Sequence, residues 1–302
     1  MSKPPIAAAA TALVATFALI TGCTSAVSPA AKPLDLPDLR AAVAALTQLS
    51  AACVKAPPEG WSEPGLVLLS AHSPEWLAAL PSPAADAAPP ATASPSPAPT
   101  AGTCSVDRLV LEVNRVETLA LRLATADPPD LAAGAIWRAV TADQAIARSA
   151  AFDSQPPPVA DLADLPSEVL ADLALAEDQA GFLGEYLAAN LPLPPATDES
   201  QGPQPTAVDT RRTDLAAAAA MHRDRGEELA RMSGAADRRA PAYQLPDLEG
   251  TDLATRWGAG LRALASHYAA VPAGGASDPT LIWLLVQAHQ WGAELPALPF
   301  LS

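Results

Sequence analysis

The chain holds 302 residues, half of them hydrophobic yet only 4% aromatic, so its apolar character comes from small and aliphatic side chains. That composition favours helices over sheets, and 33 prolines, clustered between Ala/Leu-rich runs, act as helix separators. Eighteen Lys plus Arg against 33 Asp plus Glu give a formal charge of −15, without the basic footprint that a nucleic-acid binder needs.

Lys3 is the one charge before an uncharged run, Ile6 to Ile20 (IAAAATALVATFALI). This is the length of a signal-peptide core and short for a membrane-spanning helix. It ends in Ile20-Thr21-Gly22-Cys23, which resembles the lipobox of bacterial lipoproteins, where the cysteine thiol is diacylated and the preceding peptide bond is cut. The resemblance implies a lipoprotein signal peptide over 1–22, lipidation at Cys23, and the membrane as partner through an N-terminal lipid anchor. The alternative is an ordinary signal peptide in which Cys23 falls by chance. Residues 23–37 are small, polar and proline-bearing, as a tether is. No later stretch reaches spanning length, so the expected location is extracytoplasmic, on the outer face of the cell membrane.

With Cys23 lipidated, Cys53 and Cys104 remain as a pair in an oxidising compartment, with no CxxC and no zinc-type spacing. A disulfide is expected, against the alternative of two buried thiols. Leu39, Val43, Leu46, Leu49 and Cys53 mark a first helix over Asp38–Cys53, and a shorter helical piece follows near Ser73–Leu77 with Pro74 in its first turn. Pro81 to Thr103 is Pro/Ala/Ser/Thr low complexity, a loop that buries no core. Leu109, Val113, Val116, Ala120 and Leu123 mark a second long helix, and a third starts at Asp130 with Ala132, Ile136, Ala139, Ile146 and Ala150 on one face. Residues 38–153 thus read as an N-terminal helical region.

Four more amphipathic helices are expected beyond it. Pro166–Asn190 carries the seam Val169, Leu173, Ala176, Ala180, Leu183 and Leu187. After a proline-rich acidic loop, Thr213–Ser233 places Leu215, His222 and Leu229 seven residues apart. Thr251 caps a helix bearing Leu253, Trp257, Leu261, Leu264 and Tyr268, and Ser277-Asp278-Pro279 opens the last, with Leu281, Leu285 and Ala288.

Across 166–302, Ala176-Glu177, His222-Arg223-Asp224-Arg225, Pro241 to Pro246, Thr251-Asp252, Tyr268, His289-Gln290-Trp291 and Leu298-Pro299-Phe300-Leu301 occur in a recognisable order. This half resembles the ferritin-like domain of unknown function found in exported and lipid-anchored proteins of actinobacteria. The resemblance implies an all-α chain with a ferritin-like four-helix bundle in the C-terminal half and a further helical region before it. The family often has a histidine directly after the glutamate of the first bundle helix; here Asp178 stands there.

A di-iron centre of ferritin type takes a Glu from each of two helices and a Glu-x-x-His from each of the other two. No Glu-x-x-His occurs in the sequence, and Asp143-Gln144-Ala145-Ile146 offers an acid without a histidine. Glu177, His222 and His289 lie on apolar helix faces and are expected to meet with Tyr268 nearby, as a buried polar network that fixes helix register. A mononuclear metal or small-ligand site is the sharper alternative. Trp257, Trp283 and Trp291 read as core and rim rather than a cofactor box. Glu227-Glu228 lie among Arg223, Arg225 and Arg231 and read as a solvated, charge-paired face. Phosphate loops, the Gly-x-Ser-x-Gly elbow and His-Glu-x-x-His are missing. The sequence therefore names no catalytic residue, metal or cofactor. It points to a lipid-anchored envelope protein acting as a non-catalytic binding or scaffolding module, with an envelope protein as candidate partner. The rival is a ferritin-like metalloprotein or oxidoreductase with a non-standard metal site.

Overall fold

Leu and Ala stripes at three- and four-residue spacing become eight α-helices, with no strand among the described residues. The computed structural model describes residues 36–81, 104–148, 155–191, 207–244 and 252–298. The expected signal peptide, Cys23, the expected tether up to residue 35, nearly all of the Pro-rich loop, Ala150, Thr251 and the Pro299–Leu301 ending lie outside them, and the last two tether residues, Leu36 and Pro37, open the first helix instead.

The first four helices are α1 (Leu36–Lys55), α2 (Glu63–Ala79), α3 (Val106–Ala124) and α4 (Leu131–Ala147). A short 3-10 turn, Val159–Leu162, leads to α5 (Ser167–Asn190), α6 (Ala207–Ser233), α7 (Leu253–Ala269) and α8 (Asp278–Gln290). Ser105 and Asp130 cap α3 and α4, their side chains accepting from Arg108 N and Ala133 N.

Three expectations change. The short piece around Pro74 is a helix of 17 residues, capped by Ser62 with Pro64 in its first turn. Leu66, Leu69, His72, Ser73 and Trp76 are buried along it. Packing on both sides of Pro74 carries the helix through a residue that has no N–H to donate. The second bundle helix starts at Ala207 rather than Thr213, and Arg212 near its first turns donates to the Leu191 carbonyl at 2.8 Å. Asp252 caps α7, accepting from Thr255 N at 3.2 Å.

The described residues belong to one compact unit with two apolar cores. In the first, α1 packs on α2 and α3, and α4 on α2 and α3, closing a ring around Leu46, Leu69, Trp76, Val113 and Ile136. In the second, α5 packs on α6 and α7, and α7 on α8, around Leu173, Leu187, Trp257, Leu264 and Leu285. Helix α4 joins them: Ile136 and Val140 face the first core, Ala142 and Ile146 the second. Cys53 and Cys104 lie at disulfide distance, their Cα atoms 5.0 Å apart, as expected.

The buried guanidinium of Arg138 on α4 reinforces this junction. It donates to Asp278 Oδ1 at 2.8 Å and to the Ala269 and Val271 carbonyls at 2.9 and 2.6 Å. It thereby satisfies carbonyls that the end of α7 leaves without intrahelical partners. The end of α4 is held similarly, since Ser62 donates to Ala147 O through its N–H (2.6 Å) and to Ile146 O through its hydroxyl (3.2 Å). That approach requires Gly65, because a Cβ there would fall on the backbone of Ala147. Gly65→Ala is expected to cost about 1–3 kcal/mol by overpacking, more than it gains in helix propensity. An unchanged urea midpoint for this variant would refute the close approach.

Candidate functional site

Helices α5 and α6 come close because small residues line their seam. A Cβ on Gly226 would lie 3.0 Å from the Ala174 carbonyl, and one on Gly184 would lie 2.9 Å from Ala219 Cβ. Side chains that face inward here must therefore find partners within the core. Glu177 on α5 is fully buried, and so is His222 on α6. His222 Nδ1 donates to Glu177 Oε2 at 2.5 Å. The other oxygen, Oε1, accepts from Tyr268 OH on α7 at 2.5 Å and from Arg225 Nε on α6 at 3.0 Å.

Arg225 spreads its donors further. It reaches the Pro157 carbonyl at 2.6 Å, Tyr268 OH at 3.4 Å and Thr280 Oγ1 at 3.5 Å. One guanidinium thus ties α5, α6, α7, α8 and the connector before α5 to a single carboxylate. Burial pushes the Glu177 pKa up, but His222, Arg225 and Tyr268 outweigh it and hold the carboxyl down at about 2. Burial and the Glu177 charge drive the Tyr268 phenol well above its ordinary value, so it stays a donor.

The structure brings three of the four expected residues together: Glu177, His222 and Tyr268. His289 is a correction. It is half-buried on the other side of α8, where burial and the charge of His72 lower its pKa. Arg225 is the residue that the sequence reading missed, and it corrects the solvated-face assignment. It is only 5% exposed, whereas Glu227 is exposed and Arg231 pairs with Glu228 at 3.6 Å on the surface. Its position three residues after His222, next to Gly226, was the available signal. Asp178 is bound by Arg223 Nη1 at 2.8 Å and by the Tyr243 hydroxyl at 2.6 Å, which fastens the segment after α6 onto α5.

A second buried pair sits where α2, α4 and the C-terminal segment meet. His72 Nδ1 donates to Asp143 Oδ2 at 2.8 Å, and its Nε2 donates to the Leu295 carbonyl at 3.0 Å. Trp76 Nε1 donates to the Ala297 carbonyl at 2.5 Å, so two α2 side chains strap residues 293–298 in place. Both ring nitrogens of His72 meet acceptors, which is the pattern of an imidazolium. Burial pulls its pKa down, but Asp143, the Leu295 carbonyl and Glu75 leave it raised overall. A raised folded pKa gives stability that is complete below the unfolded histidine pKa and is lost as pH rises through the folded value. Above that value a neutral His72 also leaves Asp143 without its cation. Amide protection of residues 293–298 is expected to fall as pH rises above the ordinary histidine pKa, through the raised value of His72. Protection that stays unchanged as pH is raised above the ordinary histidine pKa would rule out a charged His72.

The fold and site define a class: an all-helical protein whose second core is organised around one carboxylate shared by His, Arg and Tyr. Comparison with family models, curated proteins and solved structures finds no match to this chain. The residues present do not fit a di-iron centre. The cation against Glu177 is the Arg225 guanidinium, and both carboxylate oxygens already accept hydrogen bonds from the protein. Among the described residues no three His, Cys, Asp or Glu side chains come together in a group that could hold a metal ion.

Proposed function

We propose that this is a lipid-anchored protein of the cell envelope whose C-terminal helices form a ferritin-like bundle working as a non-catalytic binding or scaffolding module. The observation that carries this reading is the closure of Glu177 by His222, Arg225 and Tyr268. In a carboxylate-bridged metalloprotein those lone pairs point at the ions; here a fixed guanidinium takes the cation's place. Two clefts support a binding role. The larger, about 590 Å³, lies between α5 and α7 against Ala176, Ala180, Leu183, Gly260 and Leu264. Such a volume is typical of a small-molecule site. The anchor rests on Ile20-Thr21-Gly22 before Cys23.

Two measurements test the reading. Cys23→Ala should leave the precursor uncut or release the protein from the membrane fraction; unchanged mobility and membrane retention would refute the anchor. Elemental analysis of the purified protein should find no stoichiometric iron, manganese or zinc. Near one metal per chain, lost in His222→Leu while the fold persists, would establish the metalloprotein instead.

A further inference from the structure

The second cleft, about 390 Å³, opens beside the Glu177 cluster and is walled by α6, α7, α8 with Trp291 just past its end, and Gln155 and Pro156 of the connector before α5. Helix α6 packs on α5, whereas α8 packs on α7 and α4, which leaves room between α6 and α8. Trp257, Trp283, Trp291, Met221 and Leu261 line this room together with His222. The His222 ring meets Trp257 edge-on at 5.6 Å between centroids and Trp283 at 6.1 Å.

His222 is fully buried and its Nδ1 is bound to Glu177, yet its Nε2 has no hydrogen-bond partner. The two ring nitrogens point well apart, so Nε2 is turned away from Glu177, on a ring that forms part of the cleft wall. A buried polar atom without a partner is rare and costly in a folded protein, and it marks a place where another molecule completes the bonding. Because the Glu177 carboxylate accepts, Nδ1 carries the hydrogen of that contact, and in the tautomer protonated there alone Nε2 presents a lone pair. The negative charge of Glu177 is already matched by Arg225, and no carboxylate, lysine or arginine lines the cleft.

These observations specify an occupant, and the inference rests on the binding-module reading above. We infer that the cleft is a binding site for a small, uncharged, planar aromatic compound bearing one hydrogen-bond donor, held between tryptophan rings with its donor on His222 Nε2 and its π face against the Trp257 Nε1–H, which also lacks a partner. An apolar cavity of about 150 Å³ accommodates benzene, so this cleft has room for a substituted bicyclic ring. Indole rings and planar ligands gain from offset or edge-on contacts with one another.

Indole and benzofuran provide the probes, because they match in size and differ in the donor. Calorimetric titration of the purified full-length protein should show indole binding about fivefold more tightly than benzofuran, the contribution of one hydrogen bond. His222→Leu should erase the preference. Met221→Trp, which fills the cleft from a side chain outside the Glu177 cluster, should abolish binding of both probes while helix content stays unchanged. In wild-type protein labelled with 15N-histidine, indole should move the His222 Nε2 resonance and leave His267 unmoved. Equal binding of the two probes, no binding of indole at millimolar concentration, or indole binding unaffected by Met221→Trp would overturn the assignment. Those results would leave the Cys23 anchor and the metal analysis to stand on their own tests.

Discussion

Glu177→Gln is expected to lower the unfolding free energy by about 3–5 kcal/mol, because breaking a buried ion pair strands the remaining charge. The stranded charge is that of Arg225, whose 3.0 Å contact with Glu177 lies in the core with both side chains almost wholly buried. Tyr268 and His222 lose an anionic acceptor in the same step. The pH dependence gives an independent reading of the effect. A carboxylate whose folded pKa is held at about 2 contributes stability that is present above its unfolded pKa and lost as pH falls through the folded value. Wild-type protein should therefore weaken as pH is taken from about 5 towards 2, and the variant should lose the part of that slope due to Glu177. Urea unfolding at neutral and acidic pH measures both effects. A variant within about 1 kcal/mol of wild type, near the ordinary cost of a point mutation, would mean that the cluster does not organise the core. His222→Leu provides the contrast. It removes a ring whose Nε2 is already without a partner, so its expected cost is smaller, on the order of 1–3 kcal/mol for one lost hydrogen bond to a charged acceptor.

The residues show why part of this site was legible in the sequence. Glu177 shares a seam with Leu173 and Ala180, and His222 falls midway between Leu215 and Leu229, so period alone places both in the interior. Tyr268 continues the stripe of Trp257, Leu261 and Leu264. Arg225 defeated that logic because a guanidinium beside Asp224 and Glu227 reads as surface, and nothing local says that a carboxylate waits on another helix. His289 was misplaced for the opposite reason. Trp283, Leu284, Leu285 and Val286 are buried in succession, so α8 is covered on several sides and its pattern does not say which neighbour a residue meets. The His72–Asp143 pair left no trace in the sequence, because its residues are 71 apart and its third partner is a backbone carbonyl. Helix α2 was underestimated because Pro74 looked like a start signal when packing had carried the helix past it.

Loss of the Cys53–Cys104 link is the second large effect expected. The two cysteines are 51 residues apart, and the chain-entropy model assigns a crosslink of that span about 4 kcal/mol of native stability. The arrangement makes that figure applicable here. Cys53 is fully buried at the end of α1, in a core with Leu49, Val113 and Val116, and Cys104 packs against the same core just before α3. The link thus fixes the α1–α3 side of the ring that those helices form with α2 and α4. Cutting it frees the intervening 50 residues to sample far more conformations in the unfolded chain, while the folded ring keeps its apolar contacts. The cost therefore falls on stability rather than on shape. Cys53→Ala/Cys104→Ala, or reduction of the wild type, should lower the thermal midpoint by roughly 10 °C for a domain of this size. Helix content below the transition should stay unchanged. Non-reducing peptide mapping should recover the two cysteines in one crosslinked peptide pair. Free thiols at both positions in protein exported by its host, or a midpoint indifferent to reductant, would show that the packing of α1 on α3 stands without the bond.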